Sequence, residues 1–329
     1  SHNDNGDTVT VFEGQVLASN AQGKIRLQAL QQSSALPNEA PTKAITINLR
    51  ETAAWTLYAP PLYVPSDQLA QDIQQAINTG AIGKALSLLD ASALKSDLNA
   101  LNAYTTLALF RGRLTDARIK NQQALAQNKA SADALANSAF MYLLDGKAGL
   151  ALEKTHNLVK QHPESINAQL VHSYALQANF QLEQALAAAQ IAQRLNANVV
   201  TNTRIAELAL SLGKSRLASD TLAKTKTNPL YAPYADSLRA LIALQNNSNR
   251  KARAILQKSV TNNPNVPLTH FVLGLTHIRL NKLQEGRAGI ELAVTLDPSN
   301  SLYRSYLGKA FAAQNKGEKA KEQFELAKI

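Results

Sequence analysis

The sequence contains no cysteine. That excludes disulfides, thiol catalysis and cysteine-ligated zinc, and it is compatible with an oxidising exterior. Aromatic residues are scarce, 5% of 329, with a single tryptophan, Trp55, and a single methionine, Met141. A large aromatic core is therefore excluded, and packing must run through small and aliphatic side chains. No run approaches the roughly 18 consecutive apolar residues that a membrane-spanning helix needs. There is no glycine-rich phosphate loop, no GxSxG and no HExxH. The 24 acidic residues form no recognisable acid/base pair. Neither catalysis nor a cofactor or metal is expected. The chain opens at Ser1 with no signal peptide, so Ser1 is read as a cut end: either a leader was removed in maturation or the chain is a piece of a longer one.

What is present is apolar but aliphatic: 45% hydrophobic residues, rich in Ala and Leu, with much Gln and Asn between them. The net charge of +10 can attract nucleic acid or anionic surfaces. The basic residues are spread thinly, however. Their denser stretches, 111–120, 250–253 and 316–321, carry no interleaved aromatics for base stacking. Solvated helix faces are the better reading, and nucleic acid is not an expected partner. His270 and His277 are seven apart and share a helix face, yet no carboxylate sits beside them in sequence. They are read as packing or surface histidines, as are His156, His162 and His172.

The chain divides by pattern. Residues 1–7 are polar and aperiodic and read as a flexible tail. Thr8–Ser19 is rich in β-branched residues, Ile25–Leu30 alternates, and Lys43–Arg50 alternates again. Asn20–Lys24 is a turn around Gly23, and Gln31–Thr42, with Pro37 and Pro41, reads as a loop. AAWTLYAPPL follows at 53–62. This stretch, with VFEGQV upstream, resembles the C-terminal half of the FecR-type β domains that precede helical repeats in bacterial envelope proteins. The resemblance covers residues 8–62 and lacks that family's upstream strands. It implies a partial β module and a periplasmic or extracellular location.

The remainder, 63–329, repeats. Residues 267–298 reappear in 301–329 at an offset of 34, so that Leu273-Gly274 falls on Leu307-Gly308, Asn281 on Asn315 and Ala293 on Ala327. A small residue recurs at Ala85, Ala117, Ala151, Ala185, Ala218, Ala252, Gly286 and Ala320, with gaps of 32, 34, 34, 33, 34, 34 and 34. Such a period means stacked helical hairpins. One hairpin cannot bury its apolar stripe alone; stacking buries it, and a small residue at each crossing lets the axes approach. Gly80, Gly112 and Gly146 fall in the turns between paired helices, and Pro163, Pro264 and Pro298 end repeats. The pattern resembles the tetratricopeptide repeat, without that family's early tryptophan. The fold expected is mainly α: a solenoid of about eight hairpins after a small β module.

The resemblance implies a protein partner on the first helix of each hairpin. The matching positions are Asn102, Thr106, Phe140, Leu143, Tyr174, Gln177, Leu208, Leu241, Phe271, Leu275 and Ile278. They are mostly apolar, so an apolar helix or segment fits better than a peptide carboxylate; several of these side chains could equally be core between repeats. The leading functional expectation is a non-enzymatic interaction or structural protein of the bacterial envelope or exterior. It could self-assemble into a homopolymer through Val9, Val11 and Phe12 at the head and an uncapped last repeat around Phe324. The alternatives are a scaffold that binds another protein in its groove, and a glycan- or polymer-binding module around Trp55.

Overall fold

The computed structural model describes residues 7–11, 15–28, 31–35, 40–41, 45–46, 62–64, 68–91, 97–225, 228–298 and 300–327. The chain forms two compact units, Ser1–Leu49 and Arg50–Ile329.

The regular elements among the described residues of the first unit are strands. Strands β1 (Asp7–Val11), β4 (Gln31–Ala35) and β5 (Ile45–Thr46) form an antiparallel sheet in the order β1-β4-β5. Strands β2 (Gln15–Asn20) and β3 (Gly23–Gln28) make a hairpin. Its turn is set by Asn20, whose Oδ1 accepts from the N–H groups of Gln22 and Gly23 at 3.1 and 3.0 Å. Two expectations change here. The run Thr8–Ser19 is two strands rather than one. Gln31–Ala35, expected in a loop, is the central strand β4. Its polar sequence carries no apolar alternation; the ladder with β1 and β5 selects it instead. Most of the AAWTLYAPPL element, Trp55 included, lies outside the described residues.

The second unit contains sixteen helices among its described residues. They alternate as first and second helices of hairpins: α1 (Gln71–Asn78) with α2 (Ile82–Ala91), α3 (Leu98–Phe110) with α4 (Leu114–Gln127), α5 (Ala132–Leu144) with α6 (Ala148–Gln161), and α7 (Ile166–Ala178) with α8 (Leu182–Leu195). The series continues with α9 (Val199–Ser211) and α10 (Ser215–Ala223), α11 (Ala232–Gln245) and α12 (Asn249–Asn262), α13 (Pro267–Arg279) and α14 (Leu283–Leu296), then α15 (Ser301–Ala312) and α16 (Gly317–Leu326). First helices open on side-chain caps where the sequence supplies them: Asp97, Ser131, Ser165, Asn198 and Asn300 each accept from backbone N–H groups one turn on. All eight periodic small residues, Ala85 through Ala320, are buried on second helices.

Each first helix ends in the same way. Five residues before every small crossing residue the backbone turns left-handed, at Gly80, Gly112, Gly146, Phe180, Gly213, Asn247, Asn281 and Asn315. The next N–H then reaches back five residues, as in Arg113 to the Ala108 carbonyl (2.8 Å) and Gln181 to the Leu176 carbonyl (2.9 Å). This Schellman closure needs a positive φ, which glycine and asparagine adopt cheaply. Phe180 does not: its φ is 62°, and its side chain is 79% exposed. A side chain with Cβ in this region costs about 1–2 kcal/mol. Phe180→Asn, the residue used at three equivalent turns, should therefore stabilise the hairpin by roughly 0.5–1 kcal/mol. Thermal melts of the two proteins measure this; an unchanged or lowered midpoint would show that the Phe180 ring contributes more than its backbone costs.

Candidate peptide-binding groove

Helix α3 is buried from Ala100 through Leu109, and α9 from Val200 through Ala209. In α7 every residue from Asn167 to Ala178 except His172 is buried. A helix in a simple stack keeps one face in water, so here something covers that face. Part of the cover is the chain itself. The Tyr63 N–H donates to Asn167 Oδ1 at 2.9 Å, and Asn167 Nδ2 donates back to the Tyr63 carbonyl at 3.0 Å. The Asn167 amide also donates to Asp133 Oδ1 at 2.7 Å. Further along, Asn99 Nδ2 donates to Gln68 Oε1 at 2.8 Å. Leu62, Val64 and Leu69 are buried. Asn99, Asp133 and Asn167 are each the second residue of a first helix, 34 apart. Tyr63 is thus held at this position of α7, and Gln68 at the same position of α3. Burial pushes the Asp133 carboxyl above its usual range, and the Asn167 hydrogen bond opposes that shift.

The first hairpin continues the cover. A Cβ on Gly80 would lie 3.4 Å from the Leu230 nitrogen. Phe110, at the end of α3, meets Tyr231 and Tyr234 edge-on at ring distances of 6.2 and 6.3 Å. Burial pushes the Tyr231 hydroxyl well up.

The expected groove residues fall into two sets. Asn102, Thr106, Phe140, Leu143, Tyr174, Gln177, Leu208 and Phe271 are buried. Phe140 stacks edge-on against Tyr174 at 6.1 Å, Phe271 lies 4.7 Å from Tyr303, and Asn102 bonds Ser131 Oγ at 3.2 Å. These side chains join neighbouring repeats. Leu241, Leu275 and Ile278 are half-buried and come together in an open trough of about 450 Å³. Leu210, Leu244, Leu283, Tyr306, Ala310 and Ala313 complete its apolar lining. Its polar members are Gln245, Arg279 and Lys309, with no carboxylate among them. The Lys309 ammonium sits 4.6 Å from the Tyr306 ring centre. Sequence reading missed Tyr306, Arg279 and Lys309, and it missed the ladder Asn99–Asp133–Asn167, although the 34-residue spacing was a usable signal.

Between the two halves lies a buried ion pair. The Arg204 guanidinium donates from Nε to Ser173 Oγ, from Nη2 to the Ser173 carbonyl and from Nη1 to Glu207 Oε2, each at 3.0 Å. It stacks 3.9 Å from the Tyr174 ring centre. Arg204 is 0% exposed and Glu207 2%.

Other candidates gather no chemistry. His270 bonds the Pro264 carbonyl at 2.6 Å. The His156 and His172 rings are 6.3 Å apart, and burial, then His156, pushes His172 down to about 4. Among the described residues no His, Asp and Glu cluster could hold a metal ion, and no helix is long and apolar enough to cross a membrane. Of the expected self-association residues, Val9 and Val11 lie on edge strand β1, and Phe12 lies outside the described residues. Phe324 is 36% exposed, with its ring packed over Gly308.

No family model matches the sequence, the FecR-like stretch included, and none of the curated proteins is similar to it. Solved structures do resemble it. The APC/C hetero-tetramer Cut9–Hcn1 aligns with 78% of this chain at 13% identity and a TM-score of 0.64; the chain spans about half, 51%, of that one's length. The human IFIT1 dimer with m7Gppp-AAAA aligns with 85% of this chain and 73% of its own, at 16% identity and a TM-score of 0.56. A tetratricopeptide repeat protein from Parabacteroides merdae covers 71% of this chain and 93% of its own, at 16% identity and a TM-score of 0.49. At such identities the likeness is one of fold, and the chain has a mainly α, tetratricopeptide-repeat-like solenoid fold with a small β unit before it in sequence.

Proposed function

We propose that this chain is a non-enzymatic protein-binding scaffold whose open trough takes an apolar segment of a protein partner. The trough itself carries the reading: an apolar lining of about 450 Å³ drawn from four successive hairpins, with cations on its rim. Arg279 and Lys309 meet no carboxylate among the described residues, so acidic groups on the partner complement them. The trough lining also contains no asparagine of the kind that holds the Tyr63 backbone through Asn167. A ligand there must satisfy its own backbone, which a helix does. The fitting partner is an amphipathic helix with an acidic flank.

The test is selection from a random peptide library on the full chain, followed by binding measurements on Leu275→Asp. Enriched peptides should carry apolar residues at spacings of three and four with acidic neighbours. Leu275→Asp should weaken them at least about tenfold (~1.4 kcal/mol), with the circular dichroism unchanged. Equal binding by wild type and variant would place the site elsewhere.

One observation favours a second reading, self-association into a homopolymer. Among the described residues β1 is an edge strand of its sheet, and edge strands recruit further strands. A place in the bacterial envelope or exterior goes with both readings, supported by the FecR-like resemblance and compatible with the lack of cysteine. Light scattering before and after deletion of residues 1–19 tests self-association: a monomer in both cases removes it.

A further inference from the structure

The direction of the partner helix follows from the two ends of the trough, and it rests on the trough reading above. The lining comes from the carboxyl-terminal halves of α9, α11, α13 and α15 in a row, from Leu210 to Ala313. Each of these helix ends carries the partial negative charge of its macrodipole. The last turns of α9 and α11 hold no basic residue to offset it. Those of α13 and α15 do: His277 and Arg279 in the one, Lys309 in the other.

The side chains divide the trough in the same sense. The charges of α9, Arg204 and Glu207, pair with each other at 3.0 Å. Those of α11, Asp236 and Arg239, pair at 2.9 Å. Both helices are thus neutral toward a ligand. Neither α13 nor α15 contains an acidic residue. Glu285, the first acidic residue after Arg279, is engaged by Lys282 at 3.7 Å. Arg279 and Lys309 are exposed. One end of the trough is therefore negative through its helix ends, and the other positive through its side chains.

Packed helices lie about 8–10 Å apart, so four in a row span about 24–30 Å. A helix of roughly 16–20 residues has that length, and it is itself a dipole, positive at its amino end. We propose that the trough takes its partner helix in one direction: amino end over α9 and α11, carboxyl end over α13 and α15. The partner's acidic residues then belong in its last turns, facing Arg279 and Lys309. A helix with its acids in the first turn meets only one of the two conditions, whichever way it lies. Either its acids miss the cations, or its dipole runs against both ends of the trough. That is a basis for choosing among amphipathic helices of equal hydrophobicity.

The chain has no cysteine, so direction can be read by disulfide trapping on single-cysteine variants. The probe is a capped peptide of about 18 residues, with leucines spaced three and four apart and glutamates in its last turn. One version carries a cysteine at its amino end, another at its carboxyl end. Each is equilibrated in a glutathione buffer of low ionic strength, where exposed charges act most strongly, with Leu210→Cys or Ala313→Cys of the full chain. The amino-end cysteine should be trapped by Leu210→Cys and the carboxyl-end cysteine by Ala313→Cys. Each yield should exceed the swapped pairing by at least about tenfold. Adding Arg279→Glu with Lys309→Glu should erase or reverse that ratio, with the circular dichroism unchanged. Equal or reversed yields in the parent variants overturn the direction while leaving the trough occupied. A ratio that survives the charge reversal overturns it too. If the probe binds no better by anisotropy than a version with serine in place of leucine, the trough reading itself fails and the direction with it.

Discussion

Replacing Glu207 by alanine should destabilise the middle of the array by roughly 3–5 kcal/mol. The guanidinium of Arg204 has no exposed surface, and its one countercharge is Glu207 Oε2 at 3.0 Å. Its other donors end on Ser173, which is neutral. Alanine at 207 leaves a desolvated cation against the Tyr174 ring, and the ring's quadrupole offsets only about 2 kcal/mol of that even in a desolvated site. The pair is not required for stability as such, because desolvation of both ions consumes most of what their attraction returns. Arg204→Met with Glu207→Leu should therefore lie close to wild type, far above the single variant. Most contacts in the array join neighbouring repeats, so the loss will be local before it spreads, and a single melting temperature will understate it. Hydrogen exchange should show α7 through α10 opening first in Glu207→Ala. Equal losses in the single and double variants would mean that packing, not charge, sets the cost.

The Arg204 pair also shows where the sequence is legible and where it is not. Positions 204 and 207, three apart on a helix, read as a solvated surface pair; only the burial of α9 on all sides makes them otherwise. The periodic features were readable because each is local. Ala85 to Ala320 mark crossings, and Gly80, Gly112 and Gly146 mark turns that the structure closes with positive φ. The same offset, five residues before each crossing, would have found Phe180, Asn247, Asn281 and Asn315. The groove was harder. Tyr63 and Asn167 are 104 residues apart, and no periodicity announces that Tyr63 returns to α7 or Gln68 to α3. Phe140 and Tyr174 pack on each other between neighbouring repeats, and positional reasoning alone does not separate such a contact from open groove. In the C-terminal half Leu241, Leu275 and Ile278, chosen by the same positional reasoning, line the trough. β4 was missed for a related reason: Gln31-Gln32-Ser33-Ser34 has no apolar alternation, and its partners on β1 and β5 choose it.

The seventh hairpin carries the other large effect. Its crossing residue is Gly286 where the other seven hairpins have alanine, and it faces Gly274 on α13. A Cβ on Gly274 would sit 2.7 Å from the Gly286 carbonyl oxygen, 2.7 Å from Ile290 Cγ1 and 2.9 Å from the Ile290 nitrogen. Two of these three atoms are backbone, so no side-chain rotation relieves the clash and the helices must part. Gly289 stands equally close, its missing Cβ 3.0 Å from the Gly274 Cα. Intrinsic propensity alone would make glycine to alanine within a helix favourable by about 1 kcal/mol. Overpacking of a dense crossing typically costs about 1–3 kcal/mol, and a backbone clash on two sides belongs at or above the upper end. Gly274→Ala should thus be net destabilising by about 2 kcal/mol or more, and the branched Gly274→Val by more still. Gly149 is the control: it lies in α6, is exposed, and its Cβ would meet nothing within 4 Å. Gly149→Ala should raise stability by up to about 1 kcal/mol. Opposite signs for one chemical change at two helical glycines are the expected result in urea unfolding. The α13–α14 crossing also forms part of the trough floor through Leu275 and Ile278, so Gly274→Ala should weaken trough ligands as well, while Gly149→Ala leaves them unaffected. If both alanines stabilise, the two helices are not in backbone contact, and the trough lined by Leu275 and Ile278 has a different shape.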